Sequence, residues 1–262
     1  MKDLKFKYLE FKGGVGAYLG SLASNKVLLF IGRSNTQKNS APLQELLNRM
    51  ILGGYLLVWP KSRNQSISEF LAEKSAWAIG WLNKVLGPNE RPIKVWMRRF
   101  LKGLILVSHP TKWSYFVHWL STSQINDQAL INKRAIRAIG GNKSIIIMSH
   151  SAGGITASRL ADEPNLCGII CFGYPFKHPD KDEESYRTTY LQYIQTSFLI
   201  IQGTKDEYGG VDVQNRYELS PYINFEFVEA THEYENLSAD DWARVTHKIE
   251  ALLHTKRAGA PK

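Results

Sequence analysis

The chain has few cysteines, no long apolar segment and fewer acidic than basic residues. Its 262 residues include only two cysteines, which excludes a disulfide framework, and the clustered ligands of a zinc site are missing. No stretch approaches the roughly 18 uncharged apolar residues of a membrane-spanning helix. Residues 1–14 alternate charged and apolar side chains, a pattern that differs from a signal peptide. We therefore expect a cytoplasmic protein without a metal or cofactor.

The excess of basic residues is concentrated in one segment. The formal net charge is +9, and residues 61–125 contribute +7 of it, from ten Lys or Arg and three Glu. The same segment holds five of the seven tryptophans, Trp77, Trp81, Trp96, Trp113 and Trp119. Basic charge favours an anionic partner, and docking on an anionic membrane surface is one alternative. Nucleic acid is not expected, because no recognition motif accompanies the charge.

Apolar runs alternate with helical patterns along most of the chain. The runs predict strands at residues 26–32, 55–59, 144–148, 166–172, 198–202 and 223–228. Helical patterns fall at residues 42–51, 128–139, 152–161, 183–194, 213–219 and 239–253. Alternation of strands and helices predicts a mostly parallel central sheet flanked by helices.

The segments outside this alternation suggest how the chain is divided. Residues 4–11 predict a half-exposed strand, and the glycine-rich residues 13–20 a hairpin turn, since their spacing fits no nucleotide loop. Residues 61–125 predict helices, with residues 103–107 as the one strand-like run. We expect a core of residues 1–60 and 126–254, an inserted helical cap or lid at 61–125, and a flexible tail at 255–262.

The sequence SHSAGG, residues 149–154, joins a predicted strand to a predicted helix. A nucleophile elbow requires this context, because its sharp turn strains the central serine and leaves room only for small neighbours. Ser151 is thus a candidate nucleophile, with Ser149 in place of the usual glycine. The alternative is an ordinary serine in a small-residue turn.

Two further candidates follow later strands at the same edge of the sheet. Asp206 comes after residues 198–202, and His232 after residues 223–228. The order Ser151, Asp206, His232 is that of the α/β-hydrolase arrangement, in which the histidine moves a proton and the carboxylate orients it. Taken singly, the aspartate fits a loop turn and the histidine a surface position.

Neighbouring residues complete the predicted site. The backbone N–H of Ala152 and one from Arg33 or Ser34, after the first buried strand, are candidate oxyanion donors. His150 lies inside the elbow, and Tyr174 and His178 follow the strand at 166–172. These three are candidates for the substrate pocket, although a structural role fits Tyr174 better.

From residue 144 to about residue 253 the sequence resembles the α/β-hydrolases related to testis-expressed protein 30 and bacterial proteins of the dienelactone-hydrolase type. The matching stretches are SHSAGG, GIICFGYPFKHP (168–179), IIQGTKDEYG (200–209) and EATHEYEN (229–236). The resemblance implies the hydrolase fold and assigns nucleophile, acid and base to Ser151, Asp206 and His232.

Two functions remain open from these residues. The first is a serine hydrolase that cleaves a carboxylic ester or thioester. The second is a catalytically silent hydrolase fold that serves as a binding or scaffold module, suggested by Ser149 and by the unusual segment 61–125. For that segment, a lid or packing role is favoured over membrane docking. The oligomeric state does not follow from the sequence.

Overall fold

The computed structural model describes residues 6–32, 41–87, 92–116, 124–234 and 237–254. Its strands are β1 (Lys7–Phe11), β2 (Gly14–Leu19), β3 (Lys26–Ile31), β4 (Leu56–Ser62), β5 (Ser144–His150), β6 (Leu166–Phe172), β7 (Phe198–Gly203) and β8 (Ile223–Val228). Its helices are α1 (Ala41–Leu52), α2 (Arg63–Leu86), α3 (Pro92–Val107), α4 (Gln124–Ile139), α5 (Ala152–Ser158), α6 (Val213–Arg216) and α7 (Ala239–His254). The predicted flexible tail at 255–262 lies outside the described residues.

The strands form one sheet in the order β1-β2-β4-β3-β5-β6-β7-β8. The pair β1–β2 is antiparallel, and every pairing from β4–β3 through to β7–β8 is parallel. Consecutive residues of β3 (Val27, Leu28 and Leu29) are completely buried. Because successive side chains point to opposite faces of a strand, this burial shows that both faces of the central sheet are covered.

The chain divides into two compact units. The core unit comprises Met1–Pro60 and Gln128–Lys262, and the inserted unit comprises Lys61–Asp127. A large apolar cluster lies in the core unit, with members from the sheet, α1 and α7. Since neighbouring parallel strands end at the same edge, the loops after β5, β7 and β8 are brought together there.

The inserted unit contains a helical hairpin. Ile67 and Leu71, early in α2, share a buried apolar cluster with Leu106 near the end of α3. At the other end, Arg98 donates a hydrogen bond to the side-chain oxygen of Asn83 at 3.1 Å. The two helices therefore run antiparallel around a small apolar contact.

Three local predictions differ from the structure. Residues 103–107, predicted as a strand-like run, form the end of α3. The prediction was wrong because a short apolar run does not by itself distinguish a strand from a helix. The turn predicted for residues 13–20 is confined to its start, and the rest is strand β2. Residues 183–194 form two short 3₁₀ turns, Ser185–Arg187 and Leu191–Tyr193, where one helix was predicted. The β-branched Thr188 and Thr189 between them disfavour a continuous helix.

Among the residues that the structure describes, no helix combines the length and apolar character needed to cross a bilayer.

Candidate active site

Ser151 occupies the sharp turn between β5 and α5. Its backbone has φ 54° and ψ −128°, and Tyr234 is the other non-glycine residue with positive φ among those described. Such a conformation costs on the order of 1–3 kcal/mol and persists only where the surrounding structure enforces it. The turn presents the Ser151 side chain, which is half-buried, at the edge of the sheet.

Close packing around the turn explains its small residues. A Cβ atom on Gly153 would lie 2.3 Å from the Ile31 carbonyl oxygen, and one on Gly154 would lie 2.5 Å from Cys171 Sγ. Both distances are shorter than any real contact of this kind, so larger side chains would displace the elbow. Ser149, in place of the usual glycine, is completely buried, and its hydroxyl donates to the Ile170 carbonyl at 3.1 Å.

The structure brings together the three side chains singled out in the sequence. Ser151 Oγ lies 2.8 Å from His232 Nε2. His232 Nδ1 lies 2.9 Å from Oδ2 and 3.0 Å from Oδ1 of Asp206. Asp206 and His232 are each only 5% exposed. A hydroxyl, an imidazole and a carboxylate thus form one continuous hydrogen-bonded chain.

Further donors hold Asp206, and sequence reasoning missed them. Gln202 Nε2 donates to Asp206 Oδ2 at 3.0 Å, and the backbone N–H of Tyr208 donates to Oδ1 at 2.9 Å. Gln202 is completely buried, also donates to the Gly209 carbonyl, and accepts from the Tyr174 backbone. A glutamine in an otherwise apolar strand was the available signal, because a buried amide requires partners.

Tyr234 anchors the loop that carries His232. Its hydroxyl donates to the Ile201 carbonyl at 2.7 Å and accepts from the Gly203 backbone N–H at 3.1 Å. Burial raises the pKa of this phenol well above its usual value. The tyrosine therefore stays a neutral donor that connects the histidine loop to the end of β7.

The side chain of His232 is surrounded by groups from the end of β5 and from the loops after β6 and β7. A Cβ on Gly173 (φ +59°) would lie 3.1 Å from His232 Nδ1, so the ring occupies space that a side chain there would fill. The Tyr208 ring lies 4.4 Å from the His232 ring, centre to centre. His150 Nε2 donates to the His232 backbone carbonyl at 3.2 Å. These contacts restrict the rotation of the imidazole.

The three predicted pocket residues occupy different environments. His150 is half-buried beside His232, at 5.3 Å between ring centres. His178 is half-buried, with its ring edge against Tyr208 at 5.6 Å. Tyr174 is completely buried and donates its hydroxyl to the Arg187 carbonyl. The placement of Tyr174 supports a structural role, whereas both histidines lie near the reactive chain.

The predicted oxyanion donors are described only in part. Ala152 directly follows Ser151 and begins α5. Arg33 and Ser34 lie outside the described residues. Gly32, just before them, sits close to the elbow, because a Cβ there would lie 2.9 Å from the His150 carbonyl oxygen. The described residues contain no group of three or more His, Cys, Asp or Glu side chains placed to hold a metal ion.

Sequence comparison identifies the family. A family model described as an alpha/beta hydrolase domain matches residues 125–257, which is just over half of the 262 residues. The chain belongs to this family, and the predicted α/β-hydrolase fold is confirmed. The narrower resemblance to testis-expressed protein 30 and dienelactone-hydrolase-type proteins stays a prediction. No curated protein sequence matched the chain.

Solved structures share the fold along nearly the whole chain. The Pyrococcus furiosus esterase Pf2001 matches with a TM-score of 0.58 and 13% identity, covering 96% of this chain and 92% of that one. An alpha-beta serine hydrolase homologue from Coxiella burnetii matches with a TM-score of 0.52 and 11% identity, covering 95% of each chain. XC6422 from Xanthomonas campestris, described as an a/b serine hydrolase without lid, matches with a TM-score of 0.51 and 12% identity, covering 98% of each chain. At these identities the likeness concerns the fold.

Proposed function

We propose that the protein is a serine hydrolase that cleaves a carboxylic ester or thioester, with Ser151 as nucleophile, His232 as general base and acid, and Asp206 as the orienting carboxylate. The observation that carries the proposal is the continuous chain from Ser151 Oγ through both His232 nitrogens to Asp206. The strained backbone of Ser151 and the burial of the His232–Asp206 pair support a catalytic role for these hydrogen-bonded side chains.

The geometry suggests the following sequence of steps. Ser151 Oγ attacks the substrate carbonyl carbon while its proton passes to His232 Nε2. Asp206 accepts the Nδ1–H bond and stabilises the imidazolium that forms. The tetrahedral intermediate collapses, His232 returns the proton to the leaving alcohol or thiol, and an acyl-enzyme remains. Water then attacks the acyl-enzyme with His232 again as base, which releases the carboxylic acid and restores Ser151.

The negative oxygen of the tetrahedral intermediate requires two backbone donors. We assign the N–H of Ala152 as one and an N–H from Arg33 or Ser34 as the other. The close approach of Gly32 to His150 supports this assignment, because the loop that follows β3 starts beside the elbow. In other enzymes, removal of one such donor lowers kcat by about 10²–10³-fold.

The surroundings support a small-molecule substrate. His178 and Tyr208 extend an aromatic row outward from His232. Ring faces and edges of this kind suit an apolar acyl or leaving group, with few polar contacts to fix its orientation. The proposed pocket residues are therefore His150 and His178, with Tyr208 added from the structure.

Labelling with a fluorophosphonate tests the proposal directly. This probe reacts only with a serine that has been activated as a nucleophile. We expect labelling of the wild type, none of Ser151→Ala, and retained labelling of Ser149→Ala, whose hydroxyl is directed to the Ile170 carbonyl. Equal labelling of wild type and Ser151→Ala, or labelling of neither, would favour the silent binding module instead.

A further inference from the structure

The inserted unit exposes apolar side chains that a folded domain usually covers. Trp96 is 75% exposed, Trp77 is 78% exposed and Phe100 is 66% exposed. Among the described residues of this unit, the other exposed large apolar side chains are Trp81, Val85, Ile93, Met97, Leu104, Val107 and Trp113. By contrast, the apolar cluster shared by α2 and α3 contains three buried residues. Trp77, Trp81, Trp96 and Trp113 therefore contribute little to packing. The sequence had favoured a lid or packing role for this segment.

Helix α3 turns its apolar face outward. Its exposed apolar residues, Ile93, Trp96, Met97, Phe100, Leu104 and Val107, recur at intervals of three or four and so form one stripe. Lys94 is buried and donates to the Gly87 carbonyl at the end of α2, and Arg98 also points to that helix. The side of α3 that contacts α2 thus carries Lys94 and Arg98 as well as the apolar Leu106, while the stripe of six apolar residues is exposed.

Helix α2 carries a second exposed stripe, in which two tryptophans are flanked by two lysines. Lys74, Trp77, Trp81 and Lys84 are spaced three or four apart, so they share one face, and all four are exposed. Glu73 is the acidic residue next to this stripe. On α3, the exposed Arg99 borders the apolar stripe beside Trp96.

We infer that these two stripes, together called the aromatic–basic surface, dock the protein on an anionic phospholipid bilayer. Helices that lie in a membrane interface combine an apolar face containing Trp, Phe and Leu with flanking Lys and Arg. Charge complementarity selects this occupant over a second copy of the chain, because two segments of net charge +7 would repel each other. Stacking on nucleic acid would use the rings but not the aliphatic Ile93, Leu104 and Val107.

Vesicle co-sedimentation tests the inference with the full-length chain. We expect binding to vesicles of phosphatidylcholine with phosphatidylglycerol, and weak binding to phosphatidylcholine alone. Trp96→Ala with Phe100→Ala should weaken binding at least about tenfold, because two rings are removed from the apolar stripe. Lys74→Gln with Lys84→Gln should weaken it less and reduce its salt sensitivity between about 0.1 M and about 1 M, where the Debye length falls from about 10 Å to about 3 Å.

The matched control replaces two exposed aromatic rings of the core unit. Tyr193 is 69% exposed and Tyr222 is 47% exposed, and the double variant Tyr193→Ala with Tyr222→Ala should bind vesicles like the wild type. Ser151→Ala should also bind like the wild type, which separates docking from the proposed catalysis. Circular dichroism of each variant verifies folding.

Four results would overturn the inference. They are no binding to anionic vesicles, unchanged binding after Trp96→Ala with Phe100→Ala, equal loss in the tyrosine control, and equal affinity for neutral vesicles. The wild type could instead fail to bind vesicles but form a dimer or bind an oligonucleotide. If the Trp96→Ala with Phe100→Ala variant then lost that complex, the surface would belong to that other partner.

Discussion

At the scale of the residue, the carboxylate of Asp206 is the most constrained group of the site. It accepts hydrogen bonds from His232, Gln202 and the backbone of Tyr208, and its side chain is completely shielded from solvent. Hydrogen bonds from three donors fix the direction of this buried carboxylate. Gln202 therefore holds Asp206 in place beside His232.

Replacing the carboxylate by an amide tests this role. Asp206→Asn keeps the size of the side chain but removes its preference for the Nδ1–H form of His232. We expect kcat for a p-nitrophenyl ester to fall by about 10⁴-fold with little change in KM, as in other Ser-His-Asp enzymes. Asp212→Asn, at an exposed position, serves as the control, and its kcat should stay within about twofold of the wild-type value. A similar loss in both variants would contradict the assignment.

The two cysteines should differ in reactivity. Burial raises the pKa of the Cys171 thiol to about 12, whereas Cys167 is half-buried. Alkylation requires the thiolate, which at pH 8 amounts to roughly one part in 10⁴ for a thiol of such pKa. Iodoacetamide followed by mass spectrometry should therefore modify Cys167 first, and Cys171 only when the pH rises toward 12 or the chain unfolds. Equal rates at pH 8 would refute this expectation.

At the scale of the element, two helical glycines have opposite structural roles. A Cβ on Gly153 in α5 would overlap the Ile31 carbonyl, whereas a Cβ on Gly80 in α2 would meet nothing within 4 Å. The first glycine permits the elbow to approach β3. The second only adds flexibility to an exposed helix.

Alanine at the two positions should shift stability in opposite directions. Gly153→Ala should lower the free energy of unfolding by about 1–3 kcal/mol through overpacking. Gly80→Ala should raise the stability of its helix by about 0.5–1 kcal/mol. Urea denaturation followed by circular dichroism measures both changes, and equal shifts in the same direction would show that contacts at Gly153 are not limiting.

Sequence patterns predicted the central strands more accurately than the peripheral segments. Strand β6 has the predicted bounds, because a buried apolar run between polar turns is an unambiguous local signal. The 3₁₀ turns around Arg187 were missed because a contact distant in sequence supports them, in addition to the local effect of Thr188 and Thr189. Arg187 donates to the Pro175 carbonyl and pairs with Glu184, and the first of these contacts is invisible to local periodicity.

At the scale of the whole molecule, the two units differ in how much apolar surface they bury. The core unit contains an extended apolar cluster along the sheet, whereas the described cluster that α2 and α3 share is small. Regions with few buried apolar contacts open locally at lower free energy than the rest of a protein. The inserted unit should therefore be the less stable of the two.

Hydrogen exchange measured by mass spectrometry checks this difference with a matched pair of helices. Helices α3 and α7 both contain 16 residues, but α7 packs with the cluster of the core unit through Val245 and Ile249. We expect amides of α3 to exchange at least about tenfold faster than those of α7. Equal protection would show that the inserted unit is as stable as the core unit.

The candidate site was predictable from chain order, but its supporting groups were not. Ser151, Asp206 and His232 each follow a strand, and parallel pairing brings such positions to one edge. Tyr234 acts through a backbone carbonyl and an N–H of β7, so no sequence motif marks it. The outward-facing apolar stripe of α3 was also unforeseen, since amphipathic spacing alone does not say which side is covered.

The chain leaves the sheet after β4 for the inserted unit, returns at α4, and only then reaches the elbow. The three side chains proposed for the catalytic chain, Ser151, Asp206 and His232, consequently all lie in the sequence that follows the inserted unit. In descendants of the gene, the inserted unit can be lengthened, shortened or exchanged in a single event, while Ser151, Asp206 and His232 are inherited unchanged. Where the protein works and what it works on can thereby diverge independently.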